Sequence, residues 1–185
     1  MNSSAFIRKS FRRTVLASVV ALGAFGASNS FAAEATTTAT GSVIAPIAIT
    51  NPVNLNFGRF VAGPAVGTVK VDTNGTRTAT GDAFLPAVGP TPTAAQFLVT
   101  GGAEATYTIS WTGAVLTNTT GANETMALER ISDLTGGGGA SADVLSGTLS
   151  EGGDQLIYLG GTLSVGAAQV AGIYTGDVSA TVEYN

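Results

Sequence analysis

The chain contains no cysteine and no histidine. The first absence removes disulfides as a source of stability and thiolates as nucleophiles or zinc ligands. The second removes the commonest general base and the commonest metal ligand. Together they exclude most catalytic triads and zinc sites. Serine and threonine abound, but no Gly-x-Ser-x-Gly elbow presents one as a nucleophile. The run Gly136 to Gly139 is not followed by Lys-Ser/Thr, so it is not a phosphate loop. The expectation is a protein that is not an enzyme and that has no catalytic, cofactor-binding or metal-binding residues.

Basic residues are also scarce. Four of the eight, Arg8, Lys9, Arg12 and Arg13, fall in the first 13 residues. Beyond them Arg59, Lys70, Arg77 and Arg130 face all twelve acids, a formal charge of −8. Nucleic acid requires clustered Lys and Arg, so it is excluded as a partner. Electrostatic binding to anionic lipid is disfavoured on the same ground.

The basic start is followed by Thr14 to Ala27, apolar or small throughout. A basic start, a short apolar run and small residues after it make a secretory signal peptide. The run has 14 residues, whereas a membrane span needs about 20. A retained anchor is therefore the weaker alternative, and no membrane span is expected afterwards. Ser30-Phe31-Ala32 places small residues at the −3 and −1 positions for cleavage after Ala32. The general secretory route is favoured over twin-arginine export, despite Arg12-Arg13, because nothing needs loading before export. The organisation expected is a signal peptide over 1–32 and one domain over 33–185.

That domain reads as all-β. Short alternating segments rich in Thr and Val are separated by Gly, Pro, Asn and Asp, the pattern of a sandwich or barrel. Ser42 to Thr50 alternates, with Val43, Ala45, Ile47 and Ile49 on one face. Leu55 and Phe57 continue a strand up to Gly58. Thr68 to Thr73 and Thr76 to Thr80 flank Asn74-Gly75, read as a two-residue hairpin turn. Gly89 to Pro92 is a surface loop. Gln96 to Val99 and Ala105 to Trp111 are strands, the second with Tyr107, Ile109 and Trp111 inward. Met126 to Leu134 is read as a strand, with a helix over 126–133 as the alternative. Gly136 to Gly139 is expected to be a flexible loop. Gly160-Gly161 is read as a turn between Leu156 to Leu159 and Thr162 to Val165.

The last fourteen residues carry the clearest pattern. Gly172, Tyr174, Gly176, Val178, Ala180, Val182 and Tyr184 share one mostly apolar face. Ile173, Thr175, Asp177, Ser179, Thr181 and Glu183 share the other, polar after Ile173. Because side chains alternate with period two, this is one long half-buried strand.

Other candidates are weaker. The carboxylate pairs Glu151/Asp154, Asp133/Asp143 and Glu124/Glu129 lie beside glycines or turns and read as solvated loop acids. Asp72-Thr73-Asn74-Gly75 is faintly like the start of a calcium loop, but the later ligands are missing. Trp111, Tyr107 and Tyr158 could line a sugar-binding face, although alternating aromatics more often belong to a core. Asn118-Thr119-Thr120 and Asn74-Gly75-Thr76 match the N-glycosylation pattern and are read as accidental.

The C-terminal strand resembles that of chaperone–usher pilins. Those subunits end in an alternating strand with a penultimate aromatic, usually Tyr, and a Gly fourteenth from the end; here these are Tyr184 and Gly172. Leu55 to Gly58, Gly67 to Val71, Asn74 to Arg77, Phe97 to Gly101, Leu159 to Val165 and Gly172 to Gly176 resemble an exported bacterial family, the domain of unknown function 4402. Spore-coat-U-like subunits of archaic chaperone–usher pili share the ending. The resemblance implies an immunoglobulin-like, pilin-like sandwich, either complete or one strand short. It implies a non-catalytic structural subunit passing through the periplasm to the cell surface as a fimbrium. Its partners would be copies of itself or related subunits, with a periplasmic chaperone and an outer-membrane usher. The N-terminal extension 33–50 would then be a donor strand with Val43, Ala45, Ile47 and Ile49 as its face. The last strand would face the chaperone or the next subunit. The absent disulfide departs from many pilins. The alternatives are a complete sandwich whose first strand is Ser42 to Thr50, acting as an adhesive or carbohydrate-binding module, and, far behind, a hydrolase.

Overall fold

The computed structural model describes residues 32–185, so the expected signal peptide lies outside the described residues except for Ala32. The chain divides into two units, Met1–Thr40 and Gly41–Asn185. In the first, residues 32–40 are exposed and form no regular structure. The second unit carries eleven strands. Among the described residues no helix is long and apolar enough to cross a membrane.

The strands are β1 (Ala48–Val53), β2 (Val61–Val71), β3 (Arg77–Phe84), β4 (Ala95–Thr100), β5 (Thr106–Thr112) and β6 (Val115–Asn118). They continue with β7 (Thr125–Asp133), β8 (Ser146–Thr148), β9 (Asp154–Val165), β10 (Tyr174–Thr175) and β11 (Ser179–Tyr184). All pairings are antiparallel. The larger sheet runs β1-β4-β9-β7-β6-β10, and the β2–β3 hairpin branches from β9. The smaller sheet is β11-β5-β8. The domain is thus an all-β sandwich, as its composition implies.

Strand β9 organises the larger sheet. One of its edges pairs with β4 over Asp154–Leu159 and then with β2 over Gly161–Val165. Its other edge pairs with β7. Gly160 stands where the first edge changes partner, and the chain leaving β2 at Val71–Thr73 lies directly against its Cα. Gly160-Gly161 is therefore not a turn. Both glycines are buried inside a twelve-residue strand. They are glycines because backbone passes too close for a side chain at one and Leu128 crowds the other.

The core has two clusters. Ala95, Phe97 and Val99 of β4 and Ile157 and Leu159 of β9 meet Tyr107 and Ile109 of β5 and Val182 of β11 across the sandwich. The second cluster joins Val69 and Val71, Met126 and Leu128, Leu163 and Val165 with Phe57, which comes from the connection between β1 and β2. Period-two alternation is plain in β5, where Tyr107 is 0% and Ile109 3% exposed between exposed threonines and a serine. The helix alternative for 126–133 fails because Met126, Leu128 and Glu129 sit in a ladder with β6 and β9.

Three further expectations change. Asn74-Gly75 is part of a three-residue loop: the Gly75 amide donates to Asp72 O at 2.8 Å, and Gly75 has φ +81°. That is a tight turn followed by a left-handed residue, the usual three-residue hairpin. The first strand starts at Ala48 rather than Ser42, since Pro46 has no N–H to give a ladder.

The glycine loop 136–139 is held rather than loose. Amides of Thr135 and Gly136 donate to Asp133 Oδ1, Gly137 to Thr135 Oγ1, Gly138 to Thr73 Oγ1 and Gly139 to Asp72 Oδ1. Burial pushes the Asp72 carboxyl pKa up. Hydrogen bonds from the Gly139 and Thr73 amides and the Lys70 ammonium at 3.2 Å outweigh that, and the pKa lies below its usual value. A carboxyl with a depressed folded-state pKa adds stability above its unfolded pKa, and that stability is lost as pH falls through the folded value. The urea midpoint should therefore hold down to about pH 4 and drop below it. Asp72→Asn should flatten that part of the drop.

Candidate functional site

The smaller sheet stops at β11. Ser179 to Tyr184 pair with Thr112 to Tyr107 of β5, and the opposite edge of β11 has no ladder partner among the described residues. Beside the start of that edge lies a groove of about 560 Å³. One wall is Asn54 to Phe57 of the β1–β2 connection, and the other is Tyr174 to Ser179. Its floor is core: Ala95, Phe97, Leu128 and Leu159. Residues of both clusters thus line the groove.

The C-terminal face is largely as its alternation implies. Val182 is buried, and Tyr174, Val178, Ala180 and Tyr184 are half-buried, while the intervening residues are exposed. The expected single strand, however, is two. Strand β10 pairs with β6 in the larger sheet and β11 with β5 in the smaller one. Gly176 makes the crossing: a Cβ there would fall on the Val115 carbonyl, so only glycine lets the chain turn between layers so close to β6.

Gly172 is a glycine for a different reason. The Asn118 side chain, 0% exposed, lies against its Cα. Asn118 Oδ1 accepts from the Thr120 amide at 2.9 Å and from Thr120 Oγ1 at 3.1 Å, and Thr120 Oγ1 accepts from the Ile173 amide at 2.9 Å. Gly172→Ala would drive a methyl group into the buried amide. The expected cost is about 2 kcal/mol, a fall in Tm of about 4–8 °C by calorimetry. The same burial closes the Asn118 sequon in the folded chain.

The N-terminal segment divides at Pro46. Ile47 and Ile49 are half-buried and pack on the chain's own core, and Ile49 pairs with Val99. Val43 is 100% exposed, and Ile44 is 56% exposed against Gly102. Ala45 is exposed, and its carbonyl accepts a hydrogen bond from the Tyr184 hydroxyl at 2.7 Å. The four donor-face residues are therefore not equivalent: the side chains of Ile47 and Ile49 pack on the chain's own core, whereas Val43 and Ala45 are exposed.

The other sequence candidates do not converge. Tyr107 is wholly buried, and burial raises its phenol pKa. Trp111 donates to Val144 O at 2.9 Å and packs edge-on against Phe97 at 5.6 Å between ring centres. The edge of the Tyr158 ring lies against Gly136. The three aromatics make no common platform. Asp143 is bound by Arg130 at 3.2 Å, Asp133 accepts from Thr73, and Asp154 accepts from Ser150. Those three acids are engaged in holding the chain's own loops. Among the described residues no group of three or more His, Cys, Asp or Glu is placed to hold a metal ion. Sequence reasoning missed Asn54 to Phe57 as a groove wall and the Tyr184–Ala45 contact. The first could not be read because a strand-like Leu55-x-Phe57 alternation looks the same in a crossing segment.

The architecture is an all-β sandwich in which a free edge of β11 runs beside a groove. The family described as a domain of unknown function (DUF4402) matches residues 47–184, and the chain belongs to that family. No curated protein matches the chain.

Proposed function

We propose that the chain is a non-catalytic structural subunit of a surface fibre, secreted through the periplasm and assembled by strand donation. In this reading the segment ahead of Pro46 in one copy enters the groove of the next. A periplasmic chaperone and an outer-membrane usher would guard and order the subunits, as the pilin-like ending suggests. The observation that carries the proposal is the free edge of β11 beside a groove floored by Phe97, Leu128 and Leu159. An added strand there would gain ladder hydrogen bonds on one side and apolar burial beneath, the physics of strand addition.

Position supports an open polymer. Gly41 to Pro46 joins the domain at the Ala48 end of β1, beside Tyr184. The groove lies at the Val53 end, beside Ser179. Six residues of strand separate the two ends, about 20 Å. A donor root and an acceptor at opposite ends make a heterologous contact, and such contacts propagate into filaments unless a rotation closes them.

Val43 is the large apolar side chain that the segment can offer a neighbour, worth about 1.5–3 kcal/mol on full burial; Ile44 points to the other face of an added strand and lies against Gly102 of its own chain. Ladder bonds add about 0.5–1.5 kcal/mol each, and ordering the segment offsets part of the total. The variant Val43→Asp, at a fully exposed position, should leave circular dichroism unchanged and shift the protein from multimers to monomer on a sizing column. Multimers of undiminished size would count against donation by this segment.

A further inference from the structure

The Tyr184 hydroxyl makes two hydrogen bonds at once. It accepts from the Gly102 amide at 2.6 Å and donates to the Ala45 carbonyl at 2.7 Å. The neighbouring sequence is built to admit it. A Cβ at Gly101 would fall on the hydroxyl itself, and a Cβ at Gly102 would come within 3.1 Å of Ile44 Cβ. The glycine pair thus opens the space through which the ring reaches the incoming chain.

Gly41 to Pro46 needs such a contact. None of these residues belongs to a strand, and all six are exposed. The bond to Ala45 is the hydrogen bond that joins this stretch to the folded strands, and Ile44 against Gly102 supplies the apolar contact beside it. Pro46 follows at once. With its φ fixed and no N–H, it carries the set direction of Ala45 into Ile47 and β1.

We infer that Tyr184 is a positioning residue for the N-terminal segment: its hydroxyl, seated in the Gly101-Gly102 notch, clamps the root of that segment at the end of the domain opposite the groove. The inference rests on the strand-donation reading for its purpose, though not for its geometry. A clamped root holds Ala45 about one strand length from the chain's own groove. It therefore biases the segment towards a second copy and against self-insertion. It also lowers the ordering cost of donation, because the root is already fixed before the neighbour arrives. The half-buried ring of Tyr184 packs with the first core cluster, so packing and clamping can be separated by removing the oxygen alone.

The absence of cysteine makes the test direct, since Val43→Cys gives a single attachment point for a nitroxide. The labelled monomer fraction is compared with and without Tyr184→Phe by electron paramagnetic resonance, so that seating in a neighbour's groove does not restrict the label, and the unlabelled proteins, which keep Val43, are sized by native mass spectrometry. The clamp predicts a restricted label that becomes several-fold more mobile in Tyr184→Phe, with Tm unchanged within about 2 °C and fewer multimers. Should Tyr184→Phe lose its fold, Gly102→Ala attacks the same contact from the Ile44 side and leaves β11 intact. It should free the label in the same way. Equal label mobility in folded parent and folded variants would overturn the clamp. A label freed on mutation, with no multimers in either protein, would uphold the clamp and sink strand donation instead.

Discussion

Gly160→Ala is expected to destabilise the domain by about 3 kcal/mol, the upper part of the usual range for forcing an extra methyl group into a packed interior. The added Cβ would meet the Val71 carbonyl and the backbone of Asp72 and Thr73 inside normal contact distance. Backbone has less freedom to yield than the tip of a side chain. Here it is pinned from both directions. Val71 is laddered to Gly161 on one side and Arg77 on the other. Asp72 and Thr73 hold the glycine loop through Gly139 and Gly138. Relief would have to separate β2 from β9 or release that loop. For a chain of this size the loss corresponds to a fall in Tm of about 6–12 °C, read by calorimetry. A fall under 2 °C would mean that the chain after β2 does not cross Gly160 as described.

Leu159→Ala should cost a similar amount by the opposite route. Leu159 is 1% exposed, belongs to the first cluster and lines the groove beside Leu128 and Phe57 of the second. Truncation removes three carbons, about 2.4 kcal/mol of transfer free energy. Buried Leu→Ala changes span about 2–5 kcal/mol as the residual cavity grows. This cavity would open into the groove, where water and neighbouring side chains can enter, so the expected value is about 3 kcal/mol rather than five. Urea denaturation should show a lower midpoint with an unchanged slope. The two changes touch adjacent residues and should not add when combined.

Alternation was the legible part of the sequence. It placed Tyr107, Ile109, Val69, Val71 and the inward face of the C-terminal segment correctly, because a side chain's face depends only on local period. What it could not supply was the partner of each strand. Gly176 reads as one more position on an alternating face, yet there the chain changes sheets, and only the proximity of Val115 explains the glycine. Gly160-Gly161 reads as a turn because paired glycines often are one. Its real cause is backbone crossing from β2, eighty-eight residues earlier in the chain at Asp72. The glycine loop reads as loose because its restraints come from Asp72 and Thr73, which are distant in sequence.

The candidate site was half legible for the same reason. The sequence marked the terminal strand and the N-terminal segment as the unusual parts. It did not show that Ile47 and Ile49 would be engaged with the chain's own core while Val43 stayed outside. Nor did it show that the penultimate tyrosine would touch that segment, 139 residues away along the chain. The pairing of a free strand edge with a groove is a property of sheet order, and sheet order is long-range.

The most direct test is the native mass of the protein, taken after gentle extraction from the cells that make it. Strand donation predicts a ladder at multiples of the processed chain's mass, or a one-to-one complex with a chaperone. A clean monomer that refolds alone and stays monomeric at high concentration would contradict it.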